Sequence, residues 1–163
     1  MPITRLNHAV LYVRDARRSA DFYTEVLGLA VRHEIGEGKA IFLGSPVSDN
    51  DHDLGLFSVG EQVGGSQAGS ATVGLYHLAW QVDTLDELDR LRSVLTERGA
   101  LVGASDHGAT KSLYGRDADG LEFEIMWAVP LNLLDESADA VQIAPLDLDK
   151  EKRRYGATTV STG

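Results

Sequence analysis

The stretch Leu6-Asn7-His8-Ala9-Val10-Leu11-Tyr12-Val13-Arg14-Asp15 decides the fold, because it returns later in the chain as Leu75-Tyr76-His77-Leu78-Ala79-Trp80-Gln81-Val82-Asp83. In both copies a strand-like run with a histidine in its interior ends at an acidic residue. A helical pattern follows and stops at glycine, Gly28 in the first copy and Gly99 in the second. The first helix is expected from Asp15 to Leu27, with Asp15 as N-cap and Ala16, Ala20, Tyr23 and Val26 on one face. In the second, Thr84 and Glu87 form a capping box ahead of the apolar stripe Leu85, Leu88, Leu91, Val94 and Leu95. Three strand candidates follow each helix: 30–35, 40–43 and 54–59, then 101–103, 112–116 and 121–127. Each half therefore reads β-α-β-β-β, over modules of about 5–60 and 74–128, and the glycine- and serine-rich segment within 61–73 reads as a linker.

Composition narrows what such a duplicated chain can be. At 163 residues it suits one domain, taken as 1–130, and 131–163 reads as a C-terminal tail that packs on the surface or on a partner subunit, or is partly mobile. Apolar residues make up 43 % and charged residues 25 %, as in ordinary globular proteins. No apolar run is long enough to cross a bilayer and the N-terminus has no secretory pattern, so no membrane association and a cytoplasmic location are expected. Cysteine is absent, which removes disulfides, thiolate metal sites and cysteine nucleophiles and leaves nitrogen and oxygen ligands for any metal. A formal net charge of −10 argues against nucleic acid as a partner.

The chemistry-bearing residues lie at repeated positions. In the last strand Leu121, Phe123, Ile125 and Trp127 alternate with Glu122, Glu124 and Met126, so two carboxylates share the face opposite the apolar one. A lone histidine on a strand is usually a structural residue. His8 and His77 instead occupy equivalent places of a duplication, and quasi-twofold packing would bring both imidazoles to one place. With one carboxylate they make the two-histidine, one-carboxylate set that leaves open positions on a divalent ion. Zinc or manganese would fit the same ligands.

At this point the sequence resembles the vicinal-oxygen-chelate superfamily and, within it, the type I extradiol ring-cleaving dioxygenases. The resemblance rests on His107-Gly108-Ala109-Thr110-Lys111-Ser112-Leu113-Tyr114-Gly115-Arg116-Asp117-Ala118-Asp119-Gly120-Leu121-Glu122-Phe123-Glu124, which is similar to the extradiol signature. Ala118 stands where that signature usually has proline, and Ser105 replaces the small or branched residue expected two places before the histidine. The resemblance implies an α+β fold in which the two modules form a cupped, partly closed eight-stranded mixed sheet. It implies His8, His77 and Glu124 as metal ligands, the signature spacing choosing Glu124 over Glu122, with Fe(II) as the ion and Mn(II) or Zn(II) as alternatives. His52, in His52-Asp53-Leu54-Gly55-Leu56-Phe57, matches the proton-handling histidine, and His107 and Tyr114 the donors to substrate oxygens. The implied reaction is extradiol cleavage of a catechol-type diol by O₂, in a homodimer expected from the family resemblance. Phe42, Leu54, Leu56 and Met126 are candidate apolar lining, and His33 reads as a solvated edge-strand residue without a role. Alternatives are a glyoxalase-like lyase, a fosfomycin-type transferase or a metal-free drug-binding protein. The lyase is disfavoured because 54–59 offers no carboxylate for a fourth ligand, and the transferase because so acidic a chain shows no basic phosphonate pocket.

Overall fold

Asp15 and Thr84 open the two main helices as their residue types dictate. The Asp15 carboxylate accepts from the Arg17 and Arg18 amides, and the Thr84 hydroxyl from the Glu87 amide. The computed structural model describes residues 2–134 and 143–161. The chain forms two compact units, Met1–Ser66 with Asp117–Gly120, and Gln67–Arg116 with Leu121–Gly163.

The first unit contains β1 (Ala9–Val13), α1 (Ala16–Leu27), β2 (Ala30–Ile35), β3 (Ala40–Gly44) and β4 (Leu54–Ser58). Its four-stranded sheet has the order β1-β4-β3-β2, with β1 and β4 parallel and the other pairs antiparallel. Helix α1 lies against β3 and β4 and buries Ala16, Ala20, Tyr23 and Val26, the face expected from the sequence. It ends at Gly28, whose φ of 70° is a left-handed conformation that glycine enters without a Cβ penalty. Asp117–Gly120 belongs to this unit through its carboxylates: Tyr23 Oη donates to Asp117 Oδ2 at 3.0 Å, and Arg14 donates to Asp119 from its amide at 2.7 Å and from Nη1 at 2.9 Å.

The second unit contains β5 (Leu78–Gln81), α2 (Leu85–Glu97), β6 (Leu101–Asp106), β7 (Thr110–Arg116) and β8 (Glu122–Ala128). A 3₁₀ turn at Leu131–Leu133, β9 (Ala144–Pro145) and α3 (Leu148–Tyr155) follow. The sheet order is β5-β8-β7-β6-β9, again with the module's first and last long strands, β5 and β8, parallel. On β8 the side chains of Phe123, Ile125 and Trp127 are buried while those of Glu122, Glu124 and Met126 are half-buried on the opposite face, as alternation requires. Beneath α2 lie Leu85, Leu88, Leu91 and Leu95.

Three expectations need correction. The α+β fold of two β-α-β-β-β modules is as expected, but the strands lie in two sheets of four and five strands that are not closed, where a partly closed eight-stranded sheet was expected; in each, the module's first strand lies beside its last. The extra strand, β9, comes from the C-terminal segment and pairs with β6. Second, His8 and His77 are not inside strands: each sits one residue before its strand, since the ladders begin at Ala9↔Leu54 and Leu78↔Phe123. Third, Leu54 and Leu56 are fully buried on the core face of β4 and do not line a pocket. Residues 143–161 of the expected tail are part of the second unit, while 135–142 lie outside the described residues. No helix among the described residues is long and apolar enough to cross a membrane.

Candidate metal centre and proton-handling groups

In the second unit, β5 and β8 run side by side in register, so the residue just before β5 comes beside the polar face of β8. His77 Nε2 lies 3.0 Å from Glu124 Oε2, and both side chains are mostly buried. Two donors bound cis to one ion at ordinary metal–nitrogen and metal–oxygen distances of about 2.1 Å would themselves stand about 3 Å apart. The pair therefore has the separation that shared coordination requires. His77 Nδ1 is buried and finds no hydrogen-bond partner among the described residues, so the polar chemistry of this ring is directed at Glu124. Glu122, two residues away on the same face, is engaged otherwise. It accepts from the Tyr76 hydroxyl, and that bond is the main reason the Tyr76 pKa is raised. Arg116 lies 3.9 Å from its other side.

Tyr114 is the register partner of Glu124 across β7 and β8, and directly opposed residues share a face. Its ring is 5.8 Å from that of His77, and its hydroxyl is 2.8 Å from His107 Nε2. Burial, then the charge of Glu124, push the Tyr114 pKa above its ordinary value, so the hydroxyl stays protonated and remains a donor. An open groove of about 390 Å³ in this unit is lined by Tyr76, His107, Tyr114, Glu122 and Ile143, among others. That volume is in the range of small-molecule sites.

In the first unit, His8 and His52 face each other with ring centroids 4.5 Å apart, and Phe42 packs on His52 at 4.9 Å. Residues that the sequence did not single out fix the tautomers of both rings. The Asp53 carboxylate accepts from Asn50 Nδ2 at 2.8 Å, which orients that amide so that its oxygen accepts from Asn7 Nδ2 at 3.1 Å. Asn7 Oδ1 is thereby turned to His8 Nδ1 at 2.8 Å. An amide oxygen only accepts, so Nδ1 is the donor in this contact, and in the neutral ring the lone pair a metal ligand needs is then on Nε2. Although partial burial raises the Asp53 pKa, hydrogen bonds from Ser48, Ser45 and Asn50 outweigh it and hold the group below the ordinary carboxylate value, charged at the end of the chain.

His52 is set in the same way by a different carboxylate. Its Nδ1 donates to Asp51 Oδ2 at 2.9 Å, which leaves Nε2 basic. Asp51 accepts also from His33 Nε2 at 3.0 Å, so His33 is a partner of the carboxylate that orients His52, although it is exposed on edge strand β2. Hydrogen bonds from His52 and His33 lower the Asp51 pKa. The adjacency Asp51-His52 was visible in the sequence, whereas the contact with His33 depends on how the loop 45–53 folds back beside β2. Among the described residues, no three or more His, Asp or Glu side chains are gathered as a complete ligand set. The donors come as pairs within each unit.

Comparison with known proteins gives the family. The chain is 28 % identical over 129 residues to a catechol-2,3-dioxygenase of Bacillus subtilis (strain 168), covering 75 % of this chain and 41 % of the relative. It is 35 % identical over 124 residues to a biphenyl-2,3-diol 1,2-dioxygenase of Rhodococcus globerulus, covering 74 % and 62 %. The match thus spans less than two thirds of either relative's length. Among solved structures, a glyoxylase/bleomycin resistance protein/dioxygenase domain from Frankia sp. EAN1pec superposes with a TM-score of 0.64 at 24 % identity, over 80 % of this chain and 96 % of that one, and shows the same fold. A family model matches residues 5–125, both modules of the duplication, and the chain belongs to the Glyoxalase/Bleomycin resistance protein/Dioxygenase superfamily.

Proposed function

We propose that this protein is an Fe(II)-dependent extradiol dioxygenase that opens the ring of a catechol-type diol with O₂. The observation that carries the reading is the His77–Glu124 pair at 3.0 Å, with the His107–Tyr114 pair of the same unit at 2.8 Å. His8 is the proposed third ligand, on the strength of its equivalence to His77 in the duplication and of its lone pair on Nε2. When bound there, Fe(II) supplies a Lewis acid with open positions for diol and O₂. Mn(II) or Zn(II) would find the same donors, and Zn(II) would lack the redox step.

The chain's own groups have separable roles. His52 takes a proton from a diol hydroxyl at Nε2, because Nδ1 is committed to Asp51. Tyr114 holds its proton and donates to a substrate oxygen as negative charge develops, and His107 orients that hydroxyl and shares the donor role. Phe42, packed on His52, is the proposed apolar lining for a flat aromatic substrate. A four-ligand lyase-type site is a poorer fit, since β4 (Leu54–Ser58) carries no carboxylate. Two subunits and an aromatic diol as partner are part of the same proposal.

The test is anaerobic purification, Fe(II) reconstitution and assay of oxygen uptake and ring-opened product with catechol and biphenyl-2,3-diol. Stoichiometric iron with formation of the yellow product supports the reading. Failure to retain iron, with no product from either diol, would sink it.

A further inference from the structure

We propose that the C-terminal segment is a positioning device for His107, acting through a buried Glu151–Lys111–Asp106 chain. The inference rests on the reading of His107 as a group that faces substrate. Lys111 takes no part in the proposed reaction. Lys111 is 1 % exposed on β7, with its ammonium bonded to the Asp106 carboxylate, to the Gly108 carbonyl at 3.1 Å, and facing Glu151 Oε2 of α3 at 3.2 Å. The ring of Tyr155, also from α3, lies 5.6 Å from the same nitrogen. Glu151 is itself 1 % exposed and Asp106 9 %.

His107 stands between Asp106 and Gly108, so both of its chain neighbours are held by Lys111. The Asp106 carboxylate also accepts from the Gly108 amide at 2.8 Å, which closes the turn around His107. Beta strand β9 adds a second restraint by pairing with the end of β6 through Ser105↔Pro145 and Asp106↔Ala144, and Ile143, just before it, lines the groove with His107 and Tyr114. The segment beyond Pro130 thus supplies Ile143 to the groove and, from Glu151, a second carboxylate facing the lysine that braces the His107 turn. Removing one partner of a buried ion set leaves the other charges unpaired, whereas replacing a whole pair with apolar groups of similar volume is often tolerated. Glu151→Gln leaves the Lys111–Asp106 pair in place, whereas changing Lys111 and Glu151 together leaves the Asp106 carboxylate to the Gly108 amide, so the two variants load the His107 turn differently, and circular dichroism shows that each is folded.

The test uses the full chain carrying Glu151→Gln, the double change Lys111→Met/Glu151→Leu, or Lys152→Ala. Lys152 bridges Asp86 at 2.9 Å and Asp89 at 2.6 Å, so its removal loosens α3 on α2 without touching Lys111. The imidazole nitrogen NMR signals of His107 are read in metal-free protein, and kcat, KM and iron content in Fe(II)-loaded protein. Glu151→Gln and the double variant are expected to shift the His107 signals and lower kcat on the order of tenfold or more, as loss of an outer support does, with iron content unchanged. Lys152→Ala should lower the melting temperature and leave the His107 signals at their wild-type positions. A folded double variant with wild-type His107 signals overturns the proposal, as does Lys152→Ala shifting them equally, which would make the tail a general stabiliser. If His107 responds as expected while wild-type protein cleaves no diol, the clamp stands and the ring-cleavage reading fails.

Discussion

At the scale of single residues, Glu122 and Glu124 differ by two positions and by everything that surrounds them. Glu124 faces His77 Nε2 at 3.0 Å and opposes Tyr114, while Glu122 accepts from Tyr76. Glu124→Gln is therefore expected to lower Fe(II) affinity by more than the roughly 10- to 100-fold typical of an outer-shell change. Glu122→Gln should leave iron binding close to wild type, as read by anaerobic titration. Equal losses in both variants would reject Glu124 as the ligand. Asn7 provides a finer test, because it sets the His8 tautomer without being a ligand candidate itself. Asn7→Leu removes the acceptor of the Nδ1 proton, and iron affinity is expected to fall about 10- to 100-fold, with a shift of the His8 tautomer equilibrium visible in nitrogen NMR. Unchanged affinity would show that the Asp53–Asn50–Asn7 chain only shapes its loop.

At the scale of elements, Gly115 and Thr84 show how far local sequence dictates local structure. A Cβ at Gly115 would stand 2.6 Å from Phe123 Cζ, so the ring crossing from β8 requires glycine on β7. Gly115→Ala is expected to destabilise the protein by about 1–3 kcal/mol through overpacking, and Thr84→Ala by about 1 kcal/mol through loss of the cap. Thermal unfolding checks both, and a neutral Gly115→Ala would mean that Phe123 can move aside. The caps, the helix faces and the alternation on β8 were legible in the sequence because each depends on neighbours within a few residues. The duplication likewise pointed to both histidines, although not to their position just outside the strands, which is set by where the parallel partner strand begins. The Asp51–His33 bond and the Lys111–Glu151 contact join residues 18 and 40 positions apart and depend on how a loop and a tail fold back, which no periodicity encodes. For the same reason, the tail's strand β9 was not anticipated: it is two residues long and held by its partner, not by its own pattern.

At the scale of the whole molecule, the first unit is discontinuous in sequence, and the hydrogen bonds that include Asp117–Gly120 in it span 94 to 105 residues. The most buried of them joins Tyr23, 2 % exposed, to Asp117, 7 % exposed. Burial, then the charge and hydrogen-bond acceptance of Asp117, raise the Tyr23 pKa well above the ordinary 10.0. The sign follows from linkage: the folded state holds this proton more tightly than the unfolded chain does. The stabilisation is therefore fully present below the unfolded-state value and is lost as pH rises from that value towards the higher folded-state one. Within that window Tyr23 alone should reduce stability by up to about 1.4 kcal/mol per pH unit. Tyr23→Phe removes the titrating group together with a bond whose loss leaves a buried carboxylate short of a donor, for a cost near neutral pH of about 1–3 kcal/mol. The variant is thus expected to be the less stable protein at pH 7 and to lose less of its stability on alkaline titration, so that the two unfolding curves approach each other above the tyrosine range. Denaturant unfolding across a pH series measures both. Parallel pH profiles for wild type and variant would show that Tyr23 ionises as readily in the fold as out of it, and that the Asp117 bond contributes no proton linkage.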